Sequence, residues 1–379
     1  MPKYKFTEIA INSTEKKKPT EADKATYVGL EHLDSGTLTV SRWGAEVAPI
    51  GEKLVMKKGD VLFGKRRAYQ KKVGIAPFDG IFSAHGMVLR PREEVITKEY
   101  FPLFISSDYF LNEAIRISVG SLSPTVNWKD LKDLEFFIPS IEEQRRLTPV
   151  VWAAIEARNA YKTLITRTDE LVKSQFIEMF GSPVTLEKEW PIMTIGDVAT
   201  SQLGKMLNAR NQTGNHQRYY LANRNVQWFS LDLADLRMMD FDAADRRKYA
   251  LQKGDLLVCE GGEIGRCAIW NDEIEDCYIQ NAVHRVRCDT KLISPLFLGH
   301  ILYYHAQENG FSDIIGSKVT IAHLPADKLK AMKIFVPPIE LQQQFERIVE
   351  QSDKSKFELQ EAIARIDNLI KSLIQQDTE

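Results

Sequence analysis

The sequence predicts an α+β chain written twice: two similar globular domains alternate with two long helices that pack as an antiparallel coiled coil, an internal pseudo-twofold repeat. Three observations predict this within 379 residues, a length that suits two or three domains. Five segments recur in the same order, at an offset that drifts from 193 to 198 and then holds at 198. Each copy opens with short apolar runs punctuated by Gly, Asp and Asn, the mark of a globule mixing strands and helices. Each closes on a stretch of about forty residues with heptad spacing.

The recurrences run in chain order. Tyr27-Val-Gly-Leu-Glu-His-Leu parallels Tyr220-Leu-Ala-Asn-Arg-Asn-Val, and Lys58-Gly-Asp-Val-Leu-Phe parallels Lys253-Gly-Asp-Leu-Leu-Val. Gly120-Ser121 parallels Gly316-Ser317, Ile138-Pro-Ser-Ile-Glu-Glu-Gln parallels Val336-Pro-Pro-Ile-Glu-Leu-Gln, and Asp169-Glu-Leu-Val-Lys-Ser parallels Asp367-Asn-Leu-Ile-Lys-Ser. A drifting offset means loops of unequal length, and a constant one means a rigid element. The boundaries expected are residues 1–139 and 181–337 for the globular domains, and 140–180 and 338–379 for the helices.

Within the globular parts, Leu54 to Phe63, Gly86 to Leu89 and Glu135 to Ile138 are expected as strands, as are Asp255 to Val258, Val283 to Val286 and Met332 to Val336. Tyr100 to Ile117 and Pro295 to Asn309 carry apolar residues at three- and four-residue spacing and are expected as helices. Ser140 and Glu143 form a capping box at the first long helix, and Gly181 then Pro183 end it. The expected seam holds Leu147, Val150, Tyr161, Leu164 and Leu171 against Phe345, Ile348, Leu359, Ile366 and Leu369.

Composition bounds the class. Hydrophobic content of 44% and charged content of 27% are those of an ordinary globular protein. No apolar run is long enough to span a bilayer, and the start lacks an apolar leader, so a cytoplasmic protein with no membrane partner is expected. Cys259, Cys267, Cys277 and Cys288 include no Cys-x-x-Cys pair, which favours plain reduced thiols over a zinc site. The net charge is −2, with +3 over residues 1–139, balance over 140–180, −1 over 181–337 and −4 over 338–379. Affinity for nucleic acid follows local basic surface rather than the total.

A globule, a long helix, a second globule and a second long helix resemble the specificity subunit of type I restriction-modification systems. The helix entries Pro139 to Gln144 and Pro338 to Gln342 are similar to that family's, as is the re-entry Met179-Phe-Gly-Ser-Pro-Val before Glu189-Trp-Pro. The likeness covers the whole chain. One departure is Leu341, where the first copy has Glu143. The resemblance implies two target-recognition domains, each reading one half of a bipartite site in double-stranded DNA. It implies helices that act as spacer and as docking surface for two methyltransferase subunits and for restriction motor-nuclease subunits. It implies a non-catalytic chain, with S-adenosylmethionine, ATP and Mg belonging to the partners. A methyltransferase-only complex is the alternative, and a coiled-coil scaffold without DNA binding or a self-contained nuclease are the other readings.

The residues leave no catalytic constellation. There is no Gly-x-x-x-x-Gly-Lys-Ser/Thr phosphate loop, and His300 and His305 stand five apart, the wrong spacing for one helix face. These two are expected to be surface or packing histidines. The clearest binding segment is Lys65-Arg66-Arg67-Ala68-Tyr69-Gln70-Lys71-Lys72, an acid-free hairpin loop suited to phosphate contact and to guanine. A solvated lysine-rich turn is the other reading. The second copy carries Glu260, Gly261, Gly262, Glu263 and Arg266 in its place. Its glycines allow close backbone approach, and a carboxylate there suits cytosine N4. Ser83 and His85 parallel Gln280 and Ala282, and Gln280 with Asn281 suits adenine. Ser121, Ser123 and Thr125 parallel Ser317, Lys318 and Thr320 as a polar loop suited to phosphate, and Lys205, Arg210 and Asn211 lie on an open polar segment expected to reach the DNA backbone.

Overall fold

The computed structural model describes residues 2–208, 212–311 and 323–375. The chain forms two compact units: Met1–Leu164 with Glu358–Glu379, and Ile165–Phe357. The first long helix, Ile141–Phe180, thus begins in the first unit and ends in the second, and the second, Ile339–Gln375, does the reverse.

The two units repeat one topology. In the first, a four-stranded antiparallel sheet has the order Ala10–Ser13, Met87–Pro91, Val61–Phe63, Val73–Ile75. In the second the order is Ala199–Leu203, Val283–Cys288, Leu256–Cys259, Cys267–Ile269. Each unit also has a short parallel pair, Tyr27–Val28 with Gly80–Phe82 and Gln217–Leu221 with Tyr278–Ile279. Each has a strand pair that closes on the entry to a long helix, Lys3–Lys5 with Glu135–Phe137 and Ile192–Thr194 with Lys333–Phe335.

The Lys-Gly-Asp recurrence has a local physical cause. Gly59 and Gly254 take φ of +90° and +91°, which favours glycine, and Asp60 and Asp255 accept the N–H of Lys57 and Gln252 to close the turn. This turn splits the single strand expected over Leu54 to Phe63 into Lys53–Met56 and Val61–Phe63. Tyr100 to Ile117 is likewise two helices, Phe101–Ser106 and Asp108–Arg116. Ser107 breaks between them in an extended conformation and caps the second through the Phe110 N–H at 3.3 Å.

The first long helix starts as its cap requires: Ser140 Oγ accepts the Glu143 N–H at 3.2 Å. The Glu143 carboxylate turns to Arg146, at 2.5 and 2.8 Å, instead of back to the cap. Pro149 stands inside the helix and has no N–H to offer the Arg145 carbonyl, a break in the ladder at one position. Inside the second unit the helices run antiparallel, since Asp169 meets Lys356 at 2.9 Å while the later Phe176 meets the earlier Phe345. Inside the first, Arg158 meets Asp367 at 3.1 Å. Adding 198 to Arg158 and Asp169 gives Lys356 and Asp367, so the two ion pairs are one interaction with the copies' roles exchanged.

The buried face of the helices differs from the expected seam. Leu147 and Phe345 are buried, and Tyr161, Ile348, Leu359 and Ile366 are half-buried. Val150, Leu164, Leu171 and Leu369 are 46–53% exposed. Their neighbours Val151, Ile155, Val172, Phe176 and Val349 are buried instead. The reason is that each helix end packs on a globular core. Leu147, Val151 and Ile155 join the first unit's core, and Val172, Phe176, Phe345 and Val349 join the second's. That stripe follows four-residue steps rather than a strict heptad. No helix among the described residues is long and apolar enough to cross a membrane.

His300 and His305 are packing residues, both buried. Burial holds His300 at about 3, with Lys356 adding to the effect, and neither of its ring nitrogens has a hydrogen-bond partner among the described residues.

Two outcomes follow from this packing. Replacing Gln144, whose amide is fully buried against the Val95 and Pro139 carbonyls and the Thr97 N–H, with Leu orphans three backbone groups. At roughly 1–3 kcal/mol for an unsatisfied group, urea unfolding should show a loss of about 3 kcal/mol, and a loss under about 0.5 kcal/mol refutes the clamp. The unfolded chain takes up the His300 proton near pH 6.5 and the folded chain only near pH 3. Its contribution to stability is therefore whole above pH 6.5 and lost as pH falls toward 3. His300→Leu should raise the thermal midpoint at pH 5 more than at pH 8, and an equal shift at both counts against it.

Candidate nucleic-acid interface

The buried Asp of each Lys-Gly-Asp turn anchors a loop. Asp60 holds Arg90 through two bonds of 2.8 Å, and Asp255 holds Arg287 through two of 2.7 Å. Both forks tie the start of a central strand to its neighbour in the sheet, and the loop leaves from that strand's far end.

In the first unit three segments far apart in sequence converge there. Lys65 C=O accepts the Val126 N–H at 2.9 Å, Arg67 N–H donates to Pro124 C=O at 2.7 Å, and Arg66 N–H donates to His85 C=O at 3.2 Å. The loop over residues 119–125 is closed on itself by a pair of bonds between Val119 and Thr125. Arg66, Arg67 and Tyr69 are exposed, Ser121 is exposed at the loop tip, and Ser123 accepts from Arg67 Nε at 3.4 Å. Arg67 sits in the left-handed region at φ 55°, which holds its side chain beside Ser123.

Among the described residues Lys65, Arg66 and Arg67 form no ion pair. Lys65 is half-buried and lowered by burial and by Lys16; among the described residues it has no ion-pair partner. His85 is lowered by burial, then by Arg66, Lys65 and Lys53, which favours its neutral form, with Nε2 3.5 Å from the Arg66 guanidinium. Lys16 and Lys53 escape sequence reasoning because they lie in ordinary lysine-rich stretches and arrive through strand pairing. Tyr27, Val47, Ile50, Lys53 and Ser83 to His85 line a cleft of about 370 Å³ beside them.

Three residues expected at this surface are committed elsewhere. Lys71 pairs with Asp108 at 2.5 Å and Lys72 donates to Leu30 C=O at 2.7 Å, so the five cations of the run reduce to three that face outward. Ser83 is buried, its hydroxyl accepting the His85 N–H at 3.3 Å.

The second unit builds the same frame from other side chains. Glu260 C=O accepts the Leu324 N–H at 2.6 Å, the counterpart of the Lys65–Val126 bond, and Gly261 bridges His323 as Arg66 bridges Thr125. Gly262 has φ +74°, and a Cβ there would lie 3.0 Å from Asn223 Nδ2. Asn223 donates to Gly261 C=O at 2.6 Å, and Arg266 in turn donates to Asn223 at 2.9 and 3.1 Å. Arg266 is thus a clamp under the loop. Glu263 accepts from Trp228 Nε1 and is also engaged, which leaves Glu260 as the half-exposed carboxylate without an ion pair among the described residues. Gln280 and Asn281 are half-exposed, and their side-chain amides make no hydrogen bond to other described residues.

Lys205 is a correction. It is buried, paired with Asp245 at 2.5 Å, bonded to Asp240 C=O and placed over the Phe241 ring, and has no route to a backbone phosphate. Arg210 and Lys318 lie outside the described residues. The four cysteines are free thiols, and burial pushes Cys259 up to about 11 and Cys277 and Cys288 to about 12.

The family described as type I restriction modification DNA specificity domain matches residues 6–148 and 187–367. The chain is similar to the type I restriction enzyme EcoDI specificity subunit of Escherichia coli, 22% identical over 213 residues, 54% of this chain and 47% of that protein. It is also similar to the EcoBI specificity subunit of Escherichia coli, 31% identical over 132 residues, 34% of this chain and 27% of that one. The matches span about half or less of those relatives' length. A solved chain reported under "Structural basis underlying complex assembly and conformational transition of the type I R-M system" shares the fold, with a TM-score of 0.63 at 19% identity over 99% of this chain and 96% of that chain.

Removing the Asp255 carboxylate orphans the Gln252 N–H and leaves Arg287 without its counter-ion. Asp255→Ala should cost about 3 kcal/mol in denaturant unfolding. A cost below about 1 kcal/mol means the fork does not hold the loop.

Proposed function

Because this chain belongs to the type I restriction modification DNA specificity family, we propose that it is the DNA-recognition subunit of a type I restriction-modification complex, binding a bipartite, asymmetric duplex site. The observation that carries this reading is a main-chain frame present twice and dressed with unlike side chains. Lys65, Arg66 and Arg67 occupy it in one unit, and Glu260, Gly261 and Gly262 in the other. Arg66 and Arg67 donate in the manner that suits guanine O6 and N7. Glu260 suits the cytosine amino group, and the amides of Gln280 and Asn281 suit adenine. Ser121, Ser123, Lys16 and Lys53 supply phosphate contacts that orient the duplex.

The helices carry the partners in this reading. Val150, Leu164, Leu171, Phe357 and Leu369 are large apolar groups left 46–63% exposed on them, and these support docking of two methyltransferase subunits, with motor-nuclease subunits joining the assembly. S-adenosylmethionine, ATP and Mg serve those partners' chemistry, and this chain's work is to bind, orient and space.

The double substitution of Arg66 and Arg67 by Ala tests the reading in the assembled complex. Binding to duplexes altered in one half at a time should show preference lost for one half only, at about 1–3 kcal/mol for each base contact. Equal relaxation of both halves, or a uniform weakening with only a shallower salt dependence, assigns the pair to phosphates and contradicts it.

A further inference from the structure

The first unit holds a cavity at the place where the second unit is filled by its own aromatic rings. The cavity measures about 450 Å³, within the range of ligand sites, and its wall includes Ser35, Gly36, Ser106, Ser107, Arg158 and Ile374. The repeat identifies what stands at these positions in the other copy. Gly36 and Phe229 are 193 apart and both take left-handed φ, 77° and 59°. Thr97 and Ser294 donate their N–H groups to the amide oxygens of Gln144 and Gln342, which fixes an offset of 197 for the helices that follow. Ser106 and Ser107 therefore match Tyr303 and Tyr304, while Arg158 and Ile374 match Lys356 and Phe176 at 198.

In the second unit those rings pack together. Phe229 stacks on His300 at 4.4 Å and meets Tyr303 at 5.4 Å, Trp228 meets Tyr303 at 5.0 Å, and Tyr304 meets Phe176 at 4.6 Å. Phe229 accepts a backbone conformation that a bulky residue adopts only at steric cost, and its ring goes into this stack. The first unit keeps the same turn with a glycine and has serines opposite. Interiors pack closely, so removing that many rings leaves room for a guest. Arg158, on the cavity wall, donates to Gly36 C=O and pairs with Asp367, so its guanidinium is held in place beside the glycine turn.

We propose that this cavity binds a phenolic ring from outside the chain, its face on Ile155, Ile370 and Ile374 and its hydroxyl at the polar part of the wall that Ser35 and Ser106 supply. The site needs no nucleic acid.

The test is titration of the purified full chain with p-cresol, followed by calorimetry and ligand-observed NMR. The expected result is saturable binding at one site, weakened at least tenfold by Ser106→Tyr, which supplies the second copy's ring. Should that variant fail to fold, the converse holds the proposal to account: Phe229→Gly with Tyr303→Ser should open the matching space and raise the stoichiometry from one to two. N-acetyl-tyrosinamide separates the sources of the ring. If it binds as p-cresol does, the guest is a tyrosine on a polypeptide; if p-cresol alone binds, the guest is a free small phenol. No saturable p-cresol binding by the unaltered chain, or binding that neither Ser106→Tyr nor the double variant changes, overturns the proposal.

Discussion

Each long helix leaves its globular domain through a glutamine that sees no water. Gln144 accepts the Thr97 N–H at 2.7 Å and donates to Val95 and Pro139 carbonyls at 2.9 Å each. Gln342 accepts the Ser294 N–H at 3.0 Å and donates to the Leu292 and Pro337 carbonyls at 2.9 and 2.8 Å. An amide supplies two donors and an acceptor in one plane, and no other side chain fills three backbone vacancies of that pattern. The clamp ties the first turn of the helix to both the strand that enters it and the loop before the domain's own helix. The direction of the helix is thereby set, and with it the face that reaches the core. Leu147, Val151 and Ile155 follow in one unit, Phe345 and Val349 in the other.

The same economy governs the interface. A buried carboxylate forked to an arginine holds the strand that bears the variable loop, and the loop's main-chain bonds are spent inside the fold. Its side chains then change without disturbing its path, because backbone pairing carries the structure and the side chains carry the chemistry. A cationic triplet in one unit and a carboxylate with two glycines in the other are the result. In a chain of near-neutral total charge, the cations at Lys16, Lys53, Lys65 and Arg66 gather together and form no ion pair among the described residues.

The repeat was legible because its motifs answer structural demands that are local in sequence. A left-handed glycine before a capping aspartate, and a proline five residues before a glutamine, are short patterns with fixed geometry. Arg66 and Arg67 were legible for the same reason, as exposed residues of a tight hairpin. The fate of Lys71, Lys72, Lys205 and Arg266 was not, since their partners Asp108, Leu30, Asp245 and Asn223 come from segments roughly forty residues away that only the fold brings near. Heptad counting sets the helix seam one position off at Val150, Leu171 and Ile348 because it assumes a helix as the only neighbour. Here the globular cores claim Val151, Val172 and Val349.

As proposed here, two copies of one frame read two different sequences. Single-molecule sequencing of methylated bases in the genome that encodes this chain tests it most directly. The expected result is a motif with two unlike halves separated by an unread gap of constant length, with one methylated base in each half on opposite strands. A palindromic motif, or one continuous run without a gap, would contradict it.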